Sequence, residues 1–101
     1  MWQSKRVSVA LPTYNEQASI RECIEAFFAT GVVDEVVVCN NNAAEGTSDE
    51  VVKTRAREVF ETRQGYGWSC QKALRETTGD LIVLAEPDGS FEPADIIKLL
   101  A

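Results

Sequence analysis

The sequence contains no histidine, and its three cysteines, Cys23, Cys39 and Cys70, are scattered with no C-x-x-C pair among them. Without histidine a Ser-His or Cys-His nucleophile is excluded, and a structural zinc site has too few suitable ligands. Any bound metal must be held by oxygen, which favours Mg2+ or Mn2+. Basic residues are also few: ten Lys and Arg against sixteen Asp and Glu leave a formal net charge of −6. That balance argues against a nucleic-acid binder, whose affinity comes largely from cations neutralising phosphates. No apolar run approaches the roughly 18 residues of a membrane span. The opening Met1-Trp2-Gln3-Ser4-Lys5-Arg6 leads into an alternating strand pattern and not into a signal-peptide apolar stretch, so a cytoplasmic chain is expected.

What is present is the composition of a globular domain. The 101 residues are 45% hydrophobic and 26% charged, enough for one domain with a modest core. Val7, Val9 and Leu11 alternate with smaller or polar residues, which predicts a strand over Arg6 to Leu11, stopped by Pro12. From Glu16 to Thr30, Ile20, Cys23, Ile24, Phe27 and Phe28 form one helical stripe, with Asn15 as cap and Gly31 as stop. Glu35 to Cys39, with three consecutive valines, reads as a strand buried on both faces. After a polar loop over residues 40–46, Thr47 or Ser48 is expected to cap a helix carrying Val51 and Val52. A short strand is expected over Glu58 to Thr62, and Gly65 and Gly67 bracket a turn. The helix Trp68 to Thr77 turns Cys70, Ala73 and Leu74 inward and ends at Gly79. An apolar strand over Asp80 to Ala85 and a last helix opened by Pro93 complete the chain.

Strand and helix thus alternate four times. Helical crossovers imply an α/β fold, a parallel sheet with helices on both faces and right-handed connections. Ligands bind such sheets beyond the carboxyl ends of the strands, so function is to be sought there.

Each strand end is ordinary turn chemistry when taken alone. Pro12-Thr13-Tyr14-Asn15-Glu16 ends a strand and caps a helix, and Asn40-Asn41-Asn42 tolerates left-handed turns. Arg63-Gln-Gly-Tyr-Gly67 either turns the chain or lets backbone amides approach a phosphate, and Asp88-Gly89 is a common turn. Together, at one sheet edge, they carry more. Glu86 and Asp88 are two residues apart, which in extended chain points both carboxylates to one side. They could hold a hard divalent cation that neutralises a diphosphate, while Arg63 adds positive charge, Tyr14 an aromatic face and Asn40 an amide. That set suits a nucleotide diphosphate.

Val9-Ala-Leu-Pro-Thr-Tyr-Asn-Glu16 resembles the opening of the family 2 glycosyltransferases, which have the GT-A fold with a Rossmann-like nucleotide-binding half. Glu35-Val-Val-Val-Cys-Asn-Asn-Asn-Ala-Ala-Glu-Gly-Thr47 resembles their second-strand segment, and Arg63-Gln-Gly-Tyr-Gly67 with Thr78-Gly-Asp-Leu-Ile-Val83 resembles their R-x-G-x-G…TGDxIV stretch. Glu86-Pro-Asp88 stands in the place of their DxD metal motif. Within the family the chain looks most like the polyprenyl-phosphate sugar transferases related to dolichol-phosphate mannosyltransferase. The resemblance implies transfer of a sugar from a nucleotide donor, with a lipid phosphate as a candidate acceptor. It implies that Pro12, Tyr14 and Glu16 line the nucleoside site, that Asn40 meets the base edge with Asn41 beside it, and that Arg63 joins the nucleotide set. Asp88 would be the main ligand of Mg2+ or Mn2+, with Glu86 nearby.

Two departures bear on the donor. Asn40 replaces the usual aspartate, and an amide that donates and accepts suits uracil better than guanine, which favours a UDP- or dTDP-sugar. Tyr66 stands where many relatives carry lysine. Residues after Asp88 supply no general base or acceptor contacts, so a donor-binding part without its acceptor half is expected, inactive by itself. An apolar Asp80–Ala85 strand at a sheet edge would also favour self-association. A non-catalytic nucleotide- and metal-binding or self-association module is the alternative.

Overall fold

A computed structural model of the chain describes residues 1–13, 17–43 and 45–85, without the side chains of residues 17–19. Tyr14, Asn15, Glu16, Ala44 and residues 86–101, with the expected Pro93 helix, lie outside the described residues. The elements run β1 (Val7–Thr13), α1 (Gln17–Ala29), β2 (Glu35–Asn40), α2 (Thr47–Val52), β3 (Arg57–Phe60), α3 (Tyr66–Glu76) and β4 (Leu81–Leu84). All strands pair in parallel in the order β3-β2-β1-β4.

That order carries a reversal. The chain steps outward from β1 to β2 to β3, then returns to place β4 on the other side of β1. Right-handed crossovers then require the last helix to lie on the opposite face from the first two. The packing agrees. Val7, Val9, Leu11, Val36 and Val38 share a core with Ile20, Ile24 and Phe27 of α1 and Val51 of α2. On the other face Ala10 and Cys39 meet Ala73 of α3, with Val59 against them. Small residues on that face admit a close helix, and the valines of β2 are buried on both sides.

The structure corrects several boundaries. Pro12 does not stop β1, which continues to Thr13 with Pro12 opposite Cys39 and Thr13 opposite Asn40. The Ala85 N–H bonds the Ala10 carbonyl, so the edge of β1 that faces β4 carries Ala10 and, two residues on, Pro12. Ladder bonding to β4 is described no further than Ala85, and Pro12 has no N–H with which to extend it. Gly46, with φ 94°, caps α2 in place of Thr47, which is the first helical residue and fully buried. Gly67 lies inside α3, which starts two residues earlier than expected, and Leu74 faces outward. β3 and β4 are the edge strands among the described residues, and β4 turns Leu81 and Val83 to the α1 core and leaves Ile82 and Leu84 exposed.

The amino ends of the strands are tied by carboxylates. Asp34 accepts the Val7 N–H (2.8 Å) and pairs with the amino terminus at 3.0 Å. Glu35 accepts from the Ser8 hydroxyl and the Thr78 N–H, both at 2.8 Å. Gly79 passes so close to β1 that a Cβ would lie 2.4 Å from Ser8 Oγ and 2.9 Å from Ser8 N. These polar groups are used to join strands, which leaves the opposite end of the sheet for a ligand.

Candidate functional site

At the carboxyl end each ladder is carried one bond past its strand. The Asn41 N–H bonds the Thr13 carbonyl, the Glu61 N–H bonds the Asn40 carbonyl, and the Ala85 N–H bonds the Ala10 carbonyl. The carboxyl ends of β1, β2, β3 and β4 therefore lie along one rim, and the reversal of strand order between β1 and β4 marks the place where α/β sheets bind ligands. From Ala85 the sequence passes directly into Glu86-Pro87-Asp88.

Asn40, the last residue of β2, and Asn41, the next, face opposite sides of the sheet. Asn40 follows Val38 on the α1 and α2 side, 9% exposed, and its Nδ2 donates to Glu58 Oε2 (3.2 Å) and Ser48 Oγ (3.4 Å). Its Oδ1 accepts the Ala43 N–H at 2.8 Å. Both amide hydrogens are thus committed within the protein, and reading a base edge as donor would require giving one up. Asn41 follows Cys39 on the α3 side and is 3% exposed. Its Nδ2 donates to the carbonyls of Glu61 and Arg63, both at 2.9 Å, and its Oδ1 accepts from Gly65 N (3.0 Å) and Gln64 Nε2 (3.4 Å). Two donors and two acceptor sites are its full capacity. Asn41 therefore spends its side-chain amide on organising the loop before α3, so a part in the nucleotide set would fall to its backbone.

The loop it organises holds Arg63. Gly65, at φ 138°, makes the turn into α3 that brings its N–H back to Asn41. Asn42 takes a left-handed conformation at φ 57°, and its Nδ2 reaches the Thr62 carbonyl and Gln64 Oε1. Arg63 stays half exposed, with its guanidinium 3.8 Å from the centroid of the Trp68 ring. Its Nε and Nη2 fork onto the two oxygens of Glu61 at 3.1 and 2.9 Å, and its backbone N–H adds a third bond at 2.9 Å. These bonds from Arg63, side chain first and then backbone, hold the Glu61 carboxyl down to about 2. Glu61 is not among the residues expected from the sequence. Its signal there is the spacing: Glu61 and Arg63 are two apart, which in extended chain puts both on one side.

Of the expected nucleotide residues, the structure brings Asn41 and Arg63 together on the α3 side of the rim and turns Asn40 to the other side. Pro12 sits near the end of the β1 ladder, at the same end of the sheet. Tyr14, Glu16, Glu86 and Asp88 lie outside the described residues. Among the described residues no three His, Cys, Asp or Glu cluster as a metal site, and no helix is long and apolar enough to cross a membrane.

Residues 8–101 match the family profile of glycosyl transferase family 2. The chain belongs to this family. Glucosyl-3-phosphoglycerate synthase of Mycobacterium tuberculosis is 29% identical to the family 2 chain over 94 residues, covering 83% of this chain and 29% of that protein. The low-salt glycan biosynthesis hexosyltransferase Agl6 of Haloferax volcanii is 29% identical over 98 residues, 93% of this chain and 24% of its own length. Among solved structures, the Mycobacterium tuberculosis synthase with uridine diphosphate superposes with a TM-score of 0.82 at 26% identity, covering 97% of this chain and 41% of that one. The same synthase with Mn2+, uridine diphosphate and glucosyl-3-phosphoglycerate gives 0.80 at 26% identity over 93% of this chain and 38% of the other. The present chain therefore spans about a quarter to two fifths of the length of these relatives. The parallel sheet and its helices match the GT-A fold of these glycosyltransferases.

Proposed function

We propose that this chain is the donor-binding part of a transferase that moves a sugar from a uridine diphosphate carrier. The observation that carries the reading is the superposition of the chain, at a TM-score of 0.80, on a family member bound to uridine diphosphate and Mn2+. Pro12, Tyr14 and Glu16 line the nucleoside pocket after β1, and Arg63 approaches the diphosphate from the α3 side. Asn40 shapes the pocket through its bonds to Ala43, Ser48 and Glu58. Preference for uridine over thymidine or guanosine diphosphate rests on the neighbouring complexes and no longer on Asn40 as a direct reader.

A divalent cation, Mg2+ or Mn2+, would be held by Asp88 with Glu86, an all-oxygen set suited to a hard ion. Bound there, it would offset the charge that develops on the leaving diphosphate. The acceptor is proposed to carry a phosphate. Phosphoglyceric acid occupies solved complexes of the mycobacterial synthase, whereas the polyprenyl phosphate expected from the subgroup resemblance has no support among these relatives. Self-association through β4 stays a secondary proposal, favoured by exposed Ile82 and Leu84 on this edge strand.

Calorimetric titration with uridine diphosphate, with and without Mn2+, tests the reading. Binding strengthened by Mn2+ in the wild type and not in Asp88→Ala supports it. No binding by the wild type refutes it.

A further inference from the structure

Glu61 is held in an unusual way for a residue on a rim. It is 6% exposed, and its carboxylate accepts three N–H groups, all from Arg63. Its carbonyl and that of Arg63 are both taken by Asn41. Arg63 cannot swing without breaking two charge-assisted bonds and leaving the Trp68 ring. Yet its side chain is 52% exposed, and Nη1 with the second Nη2 hydrogen has no partner among the described residues. The pair joins a half-exposed Arg63 to a nearly buried Glu61, and fixing an arginine gives up most of its rotamer freedom. The bonds satisfy the buried Glu61 carboxylate and so stabilise the fold, but that alone does not account for an open guanidinium edge held toward solvent. Anion binding does, because a cation already fixed loses less entropy when the ligand arrives.

We propose that Glu61 is a positioning residue of the donor site, which fixes the Arg63 guanidinium on Trp68 so that its open edge meets the donor's diphosphate. The inference rests on the donor-site reading above. It opposes a simpler view in which Glu61 only cancels the charge of Arg63, and the two views differ in sign. Positioning requires that removing the fork weakens diphosphate binding. Cancellation requires that removing it strengthens binding.

The test is a double-mutant cycle on the full chain, titrated with uridine diphosphate and Mn2+. Glu61→Gln and Arg63→Ala are each expected to weaken binding, Glu61→Gln by about 2- to 10-fold if one long side chain must then be ordered on binding. The Glu61→Gln/Arg63→Ala double variant is expected to bind no more weakly than Arg63→Ala. In a Trp2→Phe background, Glu61→Gln should also change Trp68 emission, as the guanidinium leaves the ring. Unchanged or tighter binding by Glu61→Gln, or equal losses with and without Arg63, overturns the proposal while leaving the donor site standing. Absence of binding in the wild type overturns both. Trp68→Leu removes the other support of Arg63 and carries the same test if Glu61→Gln does not fold.

Discussion

Replacing Asn40 by the aspartate usual in this family should damage this particular protein, and the structure sets the size of the effect. In Asn40→Asp, one oxygen of the new carboxylate can stay on the Ala43 N–H. The other would then stand where Nδ2 now donates to Glu58 Oε2 at 3.2 Å. Two unit charges at that separation repel by about 5 kcal/mol at an effective dielectric constant near 20. The pair can escape by binding one proton. At pH 7 that costs about 4 kcal/mol, from a reference carboxyl pKa near 4.3 and about 1.4 kcal/mol per unit. The smaller figure is the ceiling, so Asn40→Asp should lose up to roughly 4 kcal/mol at neutral pH, a large share of a typical 5–15 kcal/mol.

The sign with pH follows. The folded variant binds a proton that its unfolded chain has released, so its stability falls as pH rises from about 4 to 7. Urea unfolding of wild type, Asn40→Asp, Glu58→Gln and the double variant at several pH values measures this. The double variant should recover most of the loss, because the amide introduced by Glu58→Gln again pairs a donor with an acceptor. A deficit under about 0.5 kcal/mol at pH 7, which is the scale of an ordinary surface substitution, or one that does not change with pH, would refute the reasoning.

Other outcomes follow from contacts at both ends of the sheet. Gly79→Ala should cost about 1–3 kcal/mol by overpacking, because its Cβ meets Ser8 Oγ and the Ser8 backbone, and pairing it with Ser8→Gly should recover only the side-chain part; thermal unfolding reports both. Acid should weaken the fold by protonating carboxylates whose native values are depressed. Glu61, held at about 2 against an ordinary 4.5, stabilises the native state above pH 4.5 and loses that contribution as pH falls toward 2. Asp34, lowered chiefly by the Val7 N–H, acts in the same direction from 3.8 downward. Burial disfavours ionised Glu35, but the Thr78 and Ser8 hydrogen bonds and Arg57 together outweigh it, so it also adds to the acid loss. Glu61→Gln should show a shallower decline between pH 4.5 and 2 in urea midpoints.

Much of the fold was legible because alternation in Val7–Leu11 and the helical stripe from Ile20 to Phe28 are local patterns. The side of the sheet each helix covers followed from handedness once the strand order was known. Boundaries were less legible where a neighbour decides them. Pro12 reads as a stop until the ladder from β1 to β2 is seen to run past it, and Leu74 fits a helical stripe whose true buried face carries Ser69, Cys70 and Ala73. In the site, residue types marked the rim correctly as polar and glycine-rich. They did not show that Asn40 and Asn41 face opposite ways, since that depends on the phase of β2. Nor did they show that Asn41 spends its whole amide on a loop about twenty residues away.

The central claim, that the carboxyl ends of these strands form a uridine diphosphate site, is tested most directly by amide NMR of the 101-residue chain during titration with uridine diphosphate and Mg2+. The account predicts shifts at Thr13, Asn40 to Ala43 and Arg63 to Gly67, with Ser8, Glu35 and Thr78 unmoved. Shifts confined to that second group, at the opposite end of the sheet, would contradict it.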